Sequence, residues 1–171
     1  AWNAACVEHL LRAGGHVDTA SSCGDTQFHR ACTRGDAGSV QLLIQAGANV
    51  NRLVDRMPNL DDESNEERAG AFYSPLQLAA RAGSAACIEL LVAAGAELQP
   101  RTHATLPLAM AADVGHLDCV TTLLRLGAVV DGDGEGVDNP LYCAVGRNEG
   151  CALALLAAGA NVNVARYGGT S

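Results

Sequence analysis

The chain has 171 residues, 49% apolar and 18% charged, a balance that excludes intrinsic disorder and fits either one ordinary domain or a short array of small units. Nineteen Asp plus Glu against eleven Lys plus Arg leave a net charge of -8, the wrong sign for gathering on a phosphate backbone, so nucleic acid is not an expected partner. No apolar run approaches the roughly 20 residues that span a bilayer, no basic-then-apolar leader opens the chain, and seven Cys without one point to a reducing compartment, cytoplasmic or nuclear.

Internal repetition sets the element order. A Gly followed by a small residue and an apolar-polar pair recurs at Gly14, Gly47, Gly95, Gly127 and Gly159, at intervals of 33, 48, 32 and 32, so the second interval holds one 33-residue period plus 15 extra residues. Eight residues before each Gly stand Cys6, Ser39, Cys87, Cys119 and Cys151. Each opens a helical apolar pattern: Val7/Leu10/Leu11, Val40/Leu43/Ile44, Ile88/Leu91/Val92, Val120/Leu123/Leu124 and Leu155/Leu156. Upstream of the last four lie TQFHRAC, SPLQLAA, LPLAMAA and NPLYCAV. There Pro75, Pro107 and Pro140 suit a first helical position that needs no N–H, and Thr26, Ser74 and Asn139 are placed as N-caps. These first helices are expected to end near Gly35, Gly83, Gly115 and Asn148, after which a second helix starts.

Thr26-Gln27-Phe28-His29-Arg30-Ala31, Ser74-Pro75-Leu76-Gln77-Leu78-Ala79 and their kin resemble the T-P-L-H-x-A signature of ankyrin repeats, and the likeness covers nearly the whole chain. The resemblance implies an α fold, a solenoid of stacked helix-turn-helix units joined by β-hairpin loops. In chain order these are a partial repeat at 1–20, full repeats at 21–53, 69–101, 101–133 and 134–166, an acidic insertion at 54–68, and the start of a further repeat at 167–171. Only the first full repeat keeps both Thr26 and His29. The third has Leu106 and Ala109 there; the fourth has Asn139 and Tyr142, with one residue deleted before Cys151, so hydrogen-bond ladders between repeats should be incomplete. Solenoid ends need polar caps, and neither terminus supplies one, which leaves Trp2, Val7 and Leu11 as candidates for exposure.

No reaction chemistry emerges from the motifs. Asp131-Gly-Asp133-Gly-Glu135-Gly136 resembles the opening of a calcium loop, but Tyr142 occupies the twelfth position, where a bidentate Glu is required; a Gly-rich hairpin tip fits better. Cys23, His29 and Cys32 match no zinc spacing, and the column of Cys6, Cys87, Cys119 and Cys151 reads as core packing. Cys23 is the thiol expected at an exposed tip. His29 has no nucleophile motif beside it and takes a structural role at the signature position. Phosphate-cradling Gly loops are absent. No catalytic residue, metal or cofactor is assigned, and no small-molecule substrate or membrane association is expected.

The insertion carries five acids in seven residues, Asp61, Asp62, Glu63, Glu66 and Glu67, and reads either as a solvated loop or as a recognition finger. The resemblance implies a concave surface of hairpin tips and first-helix faces that grips a partner protein. Carried onto this register, the tips are Ser22, Cys23, Asp25, Tyr73, Thr102, His103, Thr105, Glu135, Asp138 and Tyr167. The helix positions are Thr33, Arg34, Arg81, Asp113, Val114 and Arg147. Arg34, Arg81 and Arg147 either anchor a partner or pair with Asp25 and the acidic insert.

The segments GHLDCVTTLL and NEGCALALLAAGANVN are similar to repeats of ankyrin and SOCS-box proteins, which present substrates to cullin ubiquitin ligases; no SOCS box lies in this sequence. Asn51 and Asn163 stand where ankyrin repeats carry targets of asparaginyl hydroxylation, although Asn49 and Asn161 replace the preceding acid of that motif. The expected function is protein–protein interaction without catalysis. The alternatives are the substrate-recognition part of a cullin ubiquitin ligase adaptor, or a regulatory repeat region of a larger enzyme or channel.

Overall fold

A computed structural model describes residues 4–21, 24–55, 72–99, 105–132 and 139–163. Within them the helices are α1 (Ala4–Arg12), α2 (Gln27–Arg34), α3 (Ala37–Gln45), α4 (Pro75–Arg81), α5 (Ala85–Ala93), α6 (Pro107–Val114), α7 (Leu117–Arg125), α8 (Pro140–Ala144) and α9 (Glu149–Ala157). Even-numbered helices pack on one another in sequence, as do odd-numbered ones, and α2, α4, α6 and α8 each pack on the helix that follows. Two parallel rows result, an inner row of first helices and an outer row of second helices, as the repeat pattern requires.

Helices this short are marginal alone and are held by packing and caps. The core is aliphatic: Leu76, Leu78, Ile88, Leu91, Leu123 and Leu155 are essentially inaccessible, with Phe28 the one aromatic among the largest fully buried side chains. Each such burial stabilises by about 1.5–3 kcal/mol. In the second helices the inward positions are Val40/Leu43, Ile88/Leu91, Val120/Leu123 and Leu155. The end of the stack departs from expectation: Val7 is buried and Leu11 half-buried, while Leu10 is exposed. Val7, Leu10 and Leu11 line one cavity with Leu43 of α3 and Gln27 of α2, and Leu10 sits at its exposed side.

The repeating Gly-Ala pair now has a cause. At the end of each outer helix the Gly adopts positive φ, +89° at Gly47, and the next residue's N–H turns back onto a carbonyl five residues earlier. These bonds are Ala48 to Leu43 (2.9 Å), Ala96 to Leu91 (2.9 Å), Ala128 to Leu123 (3.0 Å) and Ala160 to Leu155 (3.0 Å). They form the Schellman closure that satisfies terminal carbonyls.

First helices begin as read. Thr26, Ser74 and Asn139 cap α2, α4 and α8 through their side chains, whereas Leu106 gives α6 no such bond. The fourth unit differs at its other end. Its helix stops at Ala144, Gly146 takes the left-handed conformation (φ +85°), and Asn148 caps α9 instead of terminating α8. The residue deleted from this repeat shortens α8 to five residues and displaces the turn toward the N-terminus.

Extended structure is sparse: among the described residues one isolated antiparallel bridge, Val54 to Tyr73, stands where full hairpins were expected. Its two backbone bonds, 3.0 and 2.8 Å, close the neck of the long loop. Most of the insertion, 56–68, lies outside the described residues, as do Trp2 and the further repeat expected at 167–171.

Candidate functional site

The inner-helix row supplies the surface to be tested for recognition, because its last turns carry the side chains not committed to the core. The register places Thr33, Arg81 and Asp113 in one column and Arg34, Ala82 and Val114 in the next. Arg34 and Val114 are exposed, Thr33, Arg81 and Asp113 partly so. Thr33 Oγ1 donates to the His29 carbonyl at 2.9 Å, which spends its proton within α2. Arg147 Nε lies 3.3 Å from Asp113 Oδ1, an ion pair joining the third and fourth units. With side-chain exposures of 66% and 43%, it stabilises by no more than about 1 kcal/mol. Arg34 and Arg81, the last residues of α2 and α4, make no ion pair among the described residues.

Three residues expected at loop tips are placed otherwise. Asp25 is buried, 5% exposed; it accepts from Ser21 Oγ and from Arg30 Nε (2.6 Å), so its charge braces the turn from within and not Arg34. Tyr73, 6% exposed, sits in the core as the partner of Val54 and is the base of the long loop. Thr105 is half-buried and its carbonyl is taken by Gln77 Nε2 at 2.8 Å. Ser22, Cys23, Asp61, Asp62, Glu63, Thr102, His103, Glu135, Asp138 and Tyr167 lie outside the described residues.

Two ladders tie the units together. In the first, the imidazole of His29 is fully buried and braces the start of α2 against the loop that ends its own unit: Nδ1 accepts from the Thr26 N–H (3.1 Å), and Nε2 donates to the Arg52 carbonyl (2.8 Å). This arrangement needs a neutral ring, and desolvation lowers the His29 pKa below its ordinary value, against the opposing pull of the Arg52 carbonyl. Gln77 repeats the design with an amide, accepting from the Ser74 N–H (2.6 Å) and donating to Thr105. Ala109 has no polar atom to continue it, so the ladder is incomplete as the sequence implied.

The second ladder was not read from the sequence. Residues starting the outer helices reach back to the previous unit's inner helix: Ser84 Oγ to the Gly35 carbonyl (3.3 Å), His116 Nε2 to that of Arg81 (3.1 Å) and Asn148 Nδ2 to that of Gly115 (3.2 Å). Loops are joined too: Asn51 donates to the Gly95 carbonyl (3.1 Å) and accepts from the Glu97 N–H (3.0 Å). Asp131, in the same column, accepts from the Asn161 N–H (2.9 Å), which ties the first acid of the calcium-like stretch to the next loop.

Cys32, Cys87, Cys119 and Cys151 are buried thiols. Desolvation raises their pKa values, well above the usual range for Cys32 and to about 11 for Cys119, so they stay protonated and unreactive at neutral pH. Cys6, from the same repeat column, is exposed on α1, whose main helix contact among the described residues is α3. Among the described residues no three His, Cys, Asp or Glu gather in a way that could hold a metal ion, and no helix is long and apolar enough to cross a membrane.

Three copies of a family model, Ankyrin repeats, match residues 1–102, 59–133 and 76–166. The chain is similar to human Ankyrin repeat and SOCS box protein 16, 32% identical over 151 residues, covering 84% of this chain and 33% of the relative. It is similar to Ankyrin repeat and SOCS box protein 11 of Danio rerio, 42% identical over 77 residues (44% and 26%), and to the Nuclear factor NF-kappa-B p105 subunit of Gallus gallus, 29% identical over 165 residues (94% and 16%). The chain thus spans a third or less of the length of these relatives. With the repeat columns, the two helix rows and these matches in agreement, the chain belongs to the ankyrin-repeat family.

Proposed function

We infer that this chain recognises a partner protein with the last turns of its inner helices, acting by binding and without chemistry of its own. Ankyrin repeats are protein–protein interaction modules. The observation that carries the placement is the division of labour within the stack: the inner helices α4 and α6 are buried from their first residue until their last turn, and that turn presents Arg81, Asp113 and Val114. The tips at Ser22, Cys23, Thr102, His103, Glu135, Asp138 and Tyr167 extend this reading to the loops, and Asp61, Asp62 and Glu63 extend it to the insertion. A cytoplasmic or nuclear location accords with the buried thiols.

The test compares proteins captured from cell extract by three forms: the intact chain, a form lacking 54–68, and the variant Arg34→Glu/Arg81→Glu/Arg147→Glu, each matched for helical content. A defined protein kept by the intact chain and lost by the charge-reversed variant supports the inner row. Loss only on removing the insertion transfers recognition to the acidic loop, and equal capture by all three contradicts the placement.

Similarity to Ankyrin repeat and SOCS box proteins supports a second, finer reading: the repeats act as the substrate-recognition part of a ubiquitin ligase adaptor. The full gene product would then carry a SOCS box and co-precipitate with a cullin, and a full product without either would remove this reading while leaving the recognition face intact.

A further inference from the structure

We propose that the inner row receives an acidic peptide segment, its carboxylates on Arg34 and Arg81 in the first two full repeats and its uncharged continuation over Val114 in the third. The proposal rests on the reading of the inner row as the recognition face and adds the chemistry of what it recognises.

The charge pattern of the whole molecule points there. All eleven basic residues of this chain are arginines, in a protein of net charge -8. Among the described residues the arginines divide cleanly. Arg12 pairs with Glu8, Arg30 with Asp25, Arg125 with Glu89 and Arg147 with Asp113. Those without an ion pair among the described residues are Arg34, Arg52 and Arg81, all in the first two full repeats. Along the inner row the sign therefore changes in a definite order: two guanidiniums without an ion pair among the described residues, then the Asp113–Arg147 pair that neutralises itself, with exposed Val114 beside it. An acidic molecule whose cations without an ion pair, among the described residues, lie in one half of one face complements a ligand whose charge is confined to one end. Guanidinium is suited to the task, because its planar fork holds a carboxylate bidentately and loses little hydration.

Geometry fixes the spacing of the ligand. Adjacent packed helices lie roughly 8–10 Å apart, and an extended chain advances about 3.3 Å per residue. Carboxylates three residues apart therefore match Arg34 and Arg81, and an apolar side chain about three residues further on reaches Val114.

The probe is a fluorescein-labelled peptide containing Glu-Ser-Gly-Glu-Ser-Gly-Leu, tested in both chain directions beside versions with Gln or Lys in place of Glu. Binding to the whole 171-residue chain is read by anisotropy. The Glu peptide is expected to bind, to weaken several-fold between about 50 and about 500 mM salt, and to weaken at least about fivefold with Arg34→Glu/Arg81→Glu. That variant should instead prefer the Lys peptide, a reversal that loss of folding does not produce; an unchanged urea midpoint checks the fold independently. Equal binding of the Glu and Gln peptides, affinity indifferent to the double reversal, or no binding of any Glu peptide would each overturn the proposal. If the charge-reversed variant of the previous section still loses a captured protein, the recognition face survives and the acidic chemistry alone is wrong. If it captures that protein as the intact chain does, both readings fall.

Discussion

Replacing Gln77 by Ala removes a side chain that joins the first turn of α4 to the loop of the following unit. Its Oε1 accepts from the Ser74 N–H at 2.6 Å, its Nε2 donates to the Thr105 carbonyl at 2.8 Å, and it is fully buried. Truncation removes the Gln77 bond from a buried donor and from a half-buried acceptor, each at about 1–3 kcal/mol. The total, about 2–6 kcal/mol, is a large part of an ordinary domain's stability of about 5–15 kcal/mol. Gln77→His substitutes the group that does comparable work at position 29, where one ring nitrogen accepts from the cap and the other donates to a loop carbonyl. It should recover most of the loss. Urea unfolding of the three proteins, followed by far-UV circular dichroism, gives the free energies. A loss under about 0.5 kcal/mol for Gln77→Ala, or equal losses for Ala and His, would refute the claim that these bonds hold adjacent units in register.

Three further outcomes follow from the same packing. The lowered pKa of His29 means that the unfolded chain binds a proton more readily than the folded one. Stability should therefore be full above the unfolded value of about 6.5 and fall as pH drops from there toward the folded value, and His29→Gln should flatten that part of a urea-midpoint profile. With Cys32, Cys87, Cys119 and Cys151 buried and protonated, iodoacetamide at pH 8 should label exposed Cys6 well before these four, as read by peptide mass mapping; early labelling of Cys119 would contradict its raised pKa. Gly83→Ala combines positive φ (+75°) with a Cβ placed 2.7–2.8 Å from the His116 ring, whereas Gly47→Ala (φ +89°) meets nothing within 4 Å. Gly47→Ala should lose about 1 kcal/mol from backbone strain and Gly83→Ala clearly more, and equal losses would remove the claim that His116 packs against that turn.

The repeat architecture was legible because it is written redundantly. Gly47, Gly95, Gly127 and Gly159 all answer the same demand for a left-handed residue, and Val40, Ile88 and Val120 the same demand for an apolar knob. The second ladder escaped reading for the opposite reason. Ser84, His116 and Asn148 share a position and a bond but no chemistry class, so the sequence shows no common motif. Asp25 and Tyr73 were misplaced because a loop position says nothing of the partner that closes over it: Arg30 comes one turn into α2, and Val54 lies across the whole insertion. The pairing of Arg147 with Asp113 was likewise hidden, because Arg147 lies past the end of α8, where helical register no longer places a side chain. Exposure of Leu10 in place of Val7 distinguishes two residues lining one cavity, a difference that periodicity constrains only to within a residue.

The central claim is that recognition resides on the last turns of the inner helices. It is tested most directly by amide hydrogen exchange on the intact chain, alone and bound to whichever protein it captures from extract. The account predicts slowed exchange at 33–36, 81–84 and 113–116, where the inner helices end, with the outer helices α3, α5 and α7 unchanged. Protection confined to the outer helices, with those turns exchanging as in the free chain, would contradict it.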